Sequence, residues 1–350
     1  MRRRKGVNVA WRHGRGRRLI AQPVGFSLVE LMVTVSVIGV LVGLLLPAVQ
    51  NAREAARRVE CANNLRQLAL AAQGFHTATG SFPPARAQNA VVGDTWGHIA
   101  RLLPYIEQNV VFKGLDLSKP INDSANMDAW TAAIPVLRCP SDTNRLFTSN
   151  SPLALPSWTK NNYRGNGGND TGEVNSAGVE KNNGVFVAGR KITIAHIADG
   201  TSNTALFSEA VLGDGDDNVI SKPGDWFAIS PVSHDRKDIY AALQAVTPAS
   251  GSSAQVSYGG REYLTGQYLV TRYNHIMLPN GPSGVVPNGT DLITAINTGA
   301  QATTASSGHP GGVNLALADG AVRFIKNEID ITTWWSLGSI CGHDDIVEKF

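Results

Sequence analysis

Gly25-Phe26-Ser27-Leu28-Val29-Glu30-Leu31 opens an apolar run that continues to Leu46 and stops at Pro47. Its polar interruptions are Thr34 and Ser36, with glycines at Gly39 and Gly43. Counted from Phe26 the run is about 21 residues, long enough to cross a bilayer at about 1.5 Å per residue. One charge, Glu30, sits at its head. A carboxylate costs about 2.5 to 3.5 kcal/mol at the centre of a span and less near its edge, so Glu30 calls for a role. A secretory signal peptide has a short apolar region followed by a small-x-small cleavage site. This run is too long for that and no such site follows it. Arg17-Arg18 lacks the neighbours of a twin-arginine signal. A plain transmembrane anchor explains the length but leaves Gly25-Phe26 and Glu30 without a reason.

The charge distribution gives the orientation. Residues 1–25 hold eight Lys or Arg and no acid. Of the 31 basic residues in the chain, 23 remain beyond them, against 28 acidic ones, so the remainder is about −5. The basic leader therefore reads as a topology signal and not as a nucleic-acid surface. Positive charge flanking a first span keeps that flank cytoplasmic. The expected organisation is a basic leader over 1–25, a membrane segment over 26–47, a soluble continuation of the helix over 48–80, and an extracytoplasmic domain over 81–350.

After Pro47, apolar residues recur at three- or four-residue steps: Val49, Ala52, Ala56, Val59, Leu65, Leu68, Ala72 and Phe75. Glu54 and Arg58 form a favourable i,i+4 pair. Thr79-Gly80 and Pro83-Pro84 end the helix. A second helix is expected over 95–112, with Trp96, Ile99, Leu102, Leu103, Ile106 and Val110 on one face and a kink at Pro104. Strands are expected at 184–187, 205–207, 226–229 and 268–270, with loops over 213–225, 247–261 and 279–308. Asp319-Gly320 between Val313–Ala318 and Ala321–Ile325 is a strong hairpin signal. Asp330 then caps a short helix carrying Trp334, Trp335 and Leu337. The fold class is α+β: a long N-terminal helix packed on a mainly antiparallel β domain.

Gly25, Phe26 and Glu30 ahead of this run resemble the class III signal of type IV pilins and type II secretion pseudopilins. The resemblance implies that a prepilin peptidase cuts after Gly25 and that the new N-terminal Phe26 is methylated. It also implies that Glu30 meets the N-terminal amine of a neighbouring subunit. A proline at position 47 suits the pilin helix. Ala62-Asn63-Asn64-Leu65-Arg66-Gln67-Leu68, Phe82-Pro83-Pro84-Ala85, Leu103-Pro104-Tyr105-Ile106-Glu107-Gln108 and Cys139-Pro140-Ser141-Asp142 narrow it further, as do Asn162-Tyr163 and Asp199-Gly200-Thr201-Ser202-Asn203-Thr204 with Glu209. His309 precedes Asp319-Gly320 by nine intervening residues, an H-x9-DG signature. Together these resemble the prepilin-type proteins of domain-of-unknown-function family 1559. The tail Cys341-Gly342-His343-Asp344-Asp345 departs from the family's usual glycine-rich end.

Side chains that could carry chemistry are few. His309, Asp319 and Gly320 read as structural, with the aspartate explained by its turn. Asp199-Gly200 through Thr204 reads as a turn bonded to its own backbone. Asp199, Glu209 and Asp319 are the calcium candidates, should the glutamate face either aspartate; no other cofactor is expected. Asp214, Asp216, Asp217 and Asn218 read as a solvated acidic loop. Of the three cysteines, Cys61 and Cys139 are the expected disulfide, closing a loop worth about 4 kcal/mol of chain entropy, and Cys341 is left over. No C-x-x-C pair exists, which argues against a cysteine zinc site. There is no G-x-S-x-G, H-E-x-x-H or P-loop, so no enzyme is expected. Two function classes remain. One is a subunit of a type II secretion or pilus-like assembly, with the inner membrane, prepilin peptidase and pilin-like subunits or itself as partners. The other is a tethered extracytoplasmic module binding carbohydrate or peptide through Trp158, Trp226, Tyr240 and Tyr258. N-terminal sequencing of the mature chain is expected to begin at a methylated Phe26; a start beyond Leu46 would instead mean ordinary signal-peptide cleavage.

Overall fold

The computed structural model describes residues 27–86, 96–142, 159–173, 179–248, 254–287, 292, 295–296 and 299–342. Gly25, Phe26 and Trp158 lie outside them. The chain divides into two units, Met1–Ala52 and Arg53–Phe350.

One helix, Leu28–Thr79, runs through both units. It is long and apolar enough in its first part to cross a membrane. Its large apolar side chains from Leu28 to Leu46 are 52–73% exposed. The helix opens with a reciprocal cap. The Ser27 backbone N–H donates to Glu30 Oε2 at 2.9 Å, and Ser27 Oγ accepts from the Glu30 N–H at 3.2 Å. This capping box satisfies two end donors that have no helical partner. Glu30 therefore has a local role that the sequence reading did not give it.

In the second unit the helix buries Cys61, Leu65, Leu68, Ala69, Ala71 and Ala72. Val59, expected on this face, is 61% exposed; the buried stripe begins only at Cys61. Val49, in the first unit, is 47% exposed. The helix ends where Gly80 takes φ +79° and donates its N–H to the His76 carbonyl, the left-handed cap that glycine adopts without Cβ strain.

The domain carries two sheets. In the first the strand order is β5-β1-β2-β8-β9, and in the second β4-β3-β6-β7. The first sheet is built from β1 (Tyr163–Asn166), β2 (Ala205–Glu209), β5 (Arg272–Tyr273), β8 (Gly312–Leu317) and β9 (Val322–Lys326). The second comprises β3 (Trp226–Ala228), β4 (Gln255–Val256), β6 (Ser283–Val285) and β7 (Gln301–Ala302). Pairings β1–β5 and β3–β6 are parallel and the others antiparallel, so the domain is α+β with mixed, mainly antiparallel sheets. Asp319-Gly320 turns β8 into β9: Gly320 has φ +89°, and Asp319 Oδ1 accepts the Ala321 N–H at 2.8 Å. The Asp330 carboxylate accepts from the Thr332 and Thr333 N–H groups and caps the helix Ile331–Gly338.

Several sequence expectations are corrected. The single helix over 95–112 is three short pieces, His98–Leu102, the 3₁₀ turn Leu103–Ile106 and Asn109–Lys113. Pro104 lies in the 3₁₀ turn, Glu107 closes it in the left-handed region, and Val110 is 87% exposed. Residues 184–187 are buried but bend instead of pairing as a strand, and the strand expected at 268–270 lies just beyond, at Arg272–Tyr273. The stretches expected as loops at 247–261 and 279–308 supply three of the four strands of the second sheet. Two- and three-residue strands leave too short a period-2 pattern to read.

Gly165, in the middle of β1, faces the stacked pair His98–Phe186, whose ring centroids are 4.3 Å apart. A Cβ there would lie 2.5 Å from the Phe186 ring and 2.6 Å from His98 Nε2. Overpacking of this kind costs about 1–3 kcal/mol. Gly165→Ala is therefore expected to lower the urea unfolding midpoint by that equivalent; an unchanged midpoint would show that the pair can move aside.

Candidate functional site

The site forms where the soluble part of the long helix meets the entry to β8. Glu54 and Cys61 stand two helical turns apart on one face, as seven residues require. Cys139 lies in the Cys139–Asp142 turn, Glu209 ends β2, and His309 precedes β8. The structure joins Cys61 to Cys139 in a disulfide with Cα atoms 5.3 Å apart. His309, whose side chain is fully buried, bridges two carboxylates. Its Nδ1 is 2.5 Å from Glu54 Oε1 and its Nε2 is 3.3 Å from Glu209 Oε1. The same Nε2 is 3.8 Å from Cys139 Sγ.

Each carboxylate is held in turn. Glu209 Oε2 accepts the Asn314 backbone N–H and Oε1 accepts the Asn314 side-chain amide, both at 2.8 Å, which ties β2 to β8. Glu54 accepts from Arg57 at 2.5 Å and from the Ser141 hydroxyl at 3.1 Å. The helical ion pair is thus Glu54–Arg57 at i,i+3, not the expected Glu54–Arg58. Arg58 instead lays its guanidinium 3.4 Å over the Phe324 ring on β9. Nearby, Gln73 donates to the Ala318 carbonyl at 2.8 Å beside the hairpin turn, and Asn64 donates to the Arg138 carbonyl at 3.1 Å.

The electrostatics follow from this geometry. Burial disfavours charge on His309, but the Glu209 and Glu54 carboxylates outweigh it and raise its pKa above the ordinary imidazole value. Burial likewise acts to raise Glu54, yet the hydrogen bonds from His309, Arg57 and Ser141 carry it below the usual carboxylate value. The arrangement is an imidazole held between two carboxylates beside a disulfide. Two hydroxyls adjoin it: that of Ser141, which donates to Glu54, and that of Ser307, which accepts the His309 backbone N–H at 2.9 Å.

Glu209 and His309 come together here; Asp199, Asp319 and Gly320 do not join them. Asp199 Oδ2 accepts the Gly342 N–H at 2.9 Å. The Asp319 N–H donates to the Thr201 carbonyl, and Ala318 to that of Thr204, which places the turn at the other end of β2 from Glu209. The three expected calcium carboxylates therefore do not share a site. The acidic loop is also not simply solvated: Asp217 is buried, accepting from the Ser257 N–H and the Tyr258 hydroxyl, and Asp214 accepts from the Ser257 hydroxyl. Trp226 and Tyr258 are buried at 1% and 0% exposure, so neither is available to a ligand. Sequence reading gave Glu54 only a helical partner; its role across 255 residues has no local signal.

A second buried pair lies apart from this one. Arg272 on β5 meets Glu180 at 2.5 Å, with Tyr268 donating to the same carboxylate at 2.5 Å and its ring lying under the guanidinium. Both charges are fully buried and share hydrogen bonds, which marks an internal brace.

Fold and site define the class: a chain with an apolar helix of membrane-spanning length that continues into a disulfide-clipped α+β domain. Residues 50–332 match the family described as "Protein of unknown function (DUF1559)", and the chain belongs to that family. No curated protein and no solved structure matches the chain significantly.

His309 and Glu54 set the pH dependence. The protonated imidazole is favoured by folding, so its contribution is complete below the unfolded value of about 6.5 and is lost as pH rises through the raised folded value. The Glu54 contribution is complete above an unfolded value of about 4.3 and is lost as pH falls through the lowered folded value. Urea unfolding of the oxidised protein is expected to show stability falling above about pH 6.5, with His309→Gln flattening that decline. Parallel curves for the two proteins would contradict the ion pair.

Proposed function

We propose that this protein is a prepilin-type subunit anchored in the inner membrane, part of a type II secretion or pilus-like assembly. The observation that carries this reading is the single helix Leu28–Thr79, wholly uncovered along its apolar first part and clipped into the domain along its last. An uncovered apolar helix must be covered by lipid or by like helices. In this reading the leader over 1–25 is removed by prepilin peptidase after Gly25 and Phe26 is methylated. The N-terminus faces the cytoplasm and the domain lies in the periplasm or at the cell surface. The partners are other pilin-like subunits or copies of this chain, the role is non-enzymatic, and nucleic acid is not involved. The burial of Trp226 and Tyr258 takes two of the four aromatics from the surface that a tethered carbohydrate- or peptide-binding module would use, while Tyr240 is half-buried.

Glu30 separates assembly from anchoring. It caps its own helix within one chain. In an assembly it also pairs with the cationic amine of an incoming Phe26, which offsets the cost of a carboxylate in lipid. A glutamine can keep the cap but not the charge. Glu30→Gln and Glu30→Leu are both expected to insert and be processed normally. In the assembly reading both lose crosslinking to neighbouring pilin-like chains and disappear from sheared surface material. If Glu30→Gln crosslinks like the wild type, the charge has no assembly role and Glu30 is a helix cap only.

A further inference from the structure

The donors around His309 are those of a metal centre as well as of a clip. Cys61 Sγ, Cys139 Sγ, His309 Nε2 and a Glu209 oxygen all lie within 4.8 Å of one another, and all four residues are buried. Zinc bonds of about 2.0–2.3 Å in a tetrahedron place donors roughly 3.3–3.8 Å apart. The Nε2–Glu209 separation of 3.3 Å and the Nε2–Cys139 separation of 3.8 Å already have that spacing. The two bonded sulfurs must move apart, which breaking the bond between them allows. The outer partners also suit a metal. Glu54 on Nδ1 leaves Nε2 as the metal-facing nitrogen, and Asn314 holds the Glu209 carboxylate from behind. A carboxylate behind a histidine orients and strengthens it as a ligand.

We propose that the reduced protein binds one zinc ion through Cys61, Cys139, His309 and Glu209, in place of the disulfide. Sequence spacing conceals this site, because no two ligands are near neighbours in the chain. The exchange is balanced. A dithiol reductant gives two electrons and two protons to the Cys61–Cys139 bond and closes to its own disulfide, leaving two thiols. Zn²⁺ then takes both thiolates, the imidazole Nε2 and the Glu209 carboxylate; the two thiol protons, and the Nε2 proton where the imidazole carries one, go to solvent. In this scheme either bond set holds the helix to the sheet, so the domain stays clipped before the cysteines oxidise.

The test uses the full chain in detergent, carrying Cys341→Ser so that the exposed free thiol takes no part. One sample stays oxidised; the other is reduced with a dithiol and desalted without oxygen. Zinc, or cobalt as a spectroscopic probe, is then titrated into each. The expected result is one metal per reduced chain and none per oxidised chain, with thiolate-to-cobalt charge transfer and the strong visible bands of a tetrahedral site. Glu54→Gln is expected to weaken binding about 10- to 100-fold, and Cys139→Ser and His309→Ala to weaken it further. A reduced wild-type chain that binds no metal would overturn the proposal without recourse to any variant. So would cobalt bound without the thiolate band, or binding unchanged in both Cys139→Ser and His309→Ala.

Discussion

The structure of the domain depends on one constraint: a helix that begins as an uncovered apolar segment must end fixed to a sheet. A smooth apolar face cannot fix a helix in register by itself, since sliding costs little when similar side chains exchange places. The bonds from Cys61 to Cys139 and from Glu54 through His309 to Glu209 are directional, and they engage the helix at two points seven residues apart. Arg58 over Phe324 and Gln73 on Ala318 repeat the fixation along the same length. Burying a titratable imidazole would be costly alone. Flanked by two carboxylates that are themselves hydrogen-bonded, it becomes a tie between three elements distant in sequence.

What was legible in the sequence was whatever has a local physical signature. The long helix, its glycine cap, the Asp319-Gly320 hairpin and the Asp330 cap rest on spacing or on one residue's conformational needs, and the structure contains each of them. Three of the four strands of the second sheet were hidden because they are two or three residues long and rich in Gly, Ser and Gln, which read as loop; only β3 was expected. The site was legible only in fragments. His309 stood out through the H-x9-DG signature and Glu209 as a calcium candidate, whereas Glu54 looked like half of a surface ion pair. Nothing in a helical pattern announces that a glutamate is reserved for a histidine 255 positions later.

Glu30 shows the same limit from the other side. A charge at the head of an apolar run suggested a partner outside the chain, and the structure supplies one inside it, the Ser27 backbone N–H. A local bond and a role between chains can coexist, since a carboxylate has two oxygens and accepts several hydrogen bonds. The buried tyrosine and tryptophan of the second sheet make the complementary point: aromatic residues in a Gly-rich stretch were core, not ligand platform, because that stretch folds into a sheet with its own apolar cluster.

The central claim is that the soluble part of the long helix belongs to the cooperative core of the domain. Amide hydrogen exchange on the oxidised full chain in detergent measures this most directly. The account predicts that residues 61–72 exchange as slowly as β2 and β8, opening only with the whole domain. Exchange of that segment well ahead of the two strands, with the disulfide intact, would contradict it.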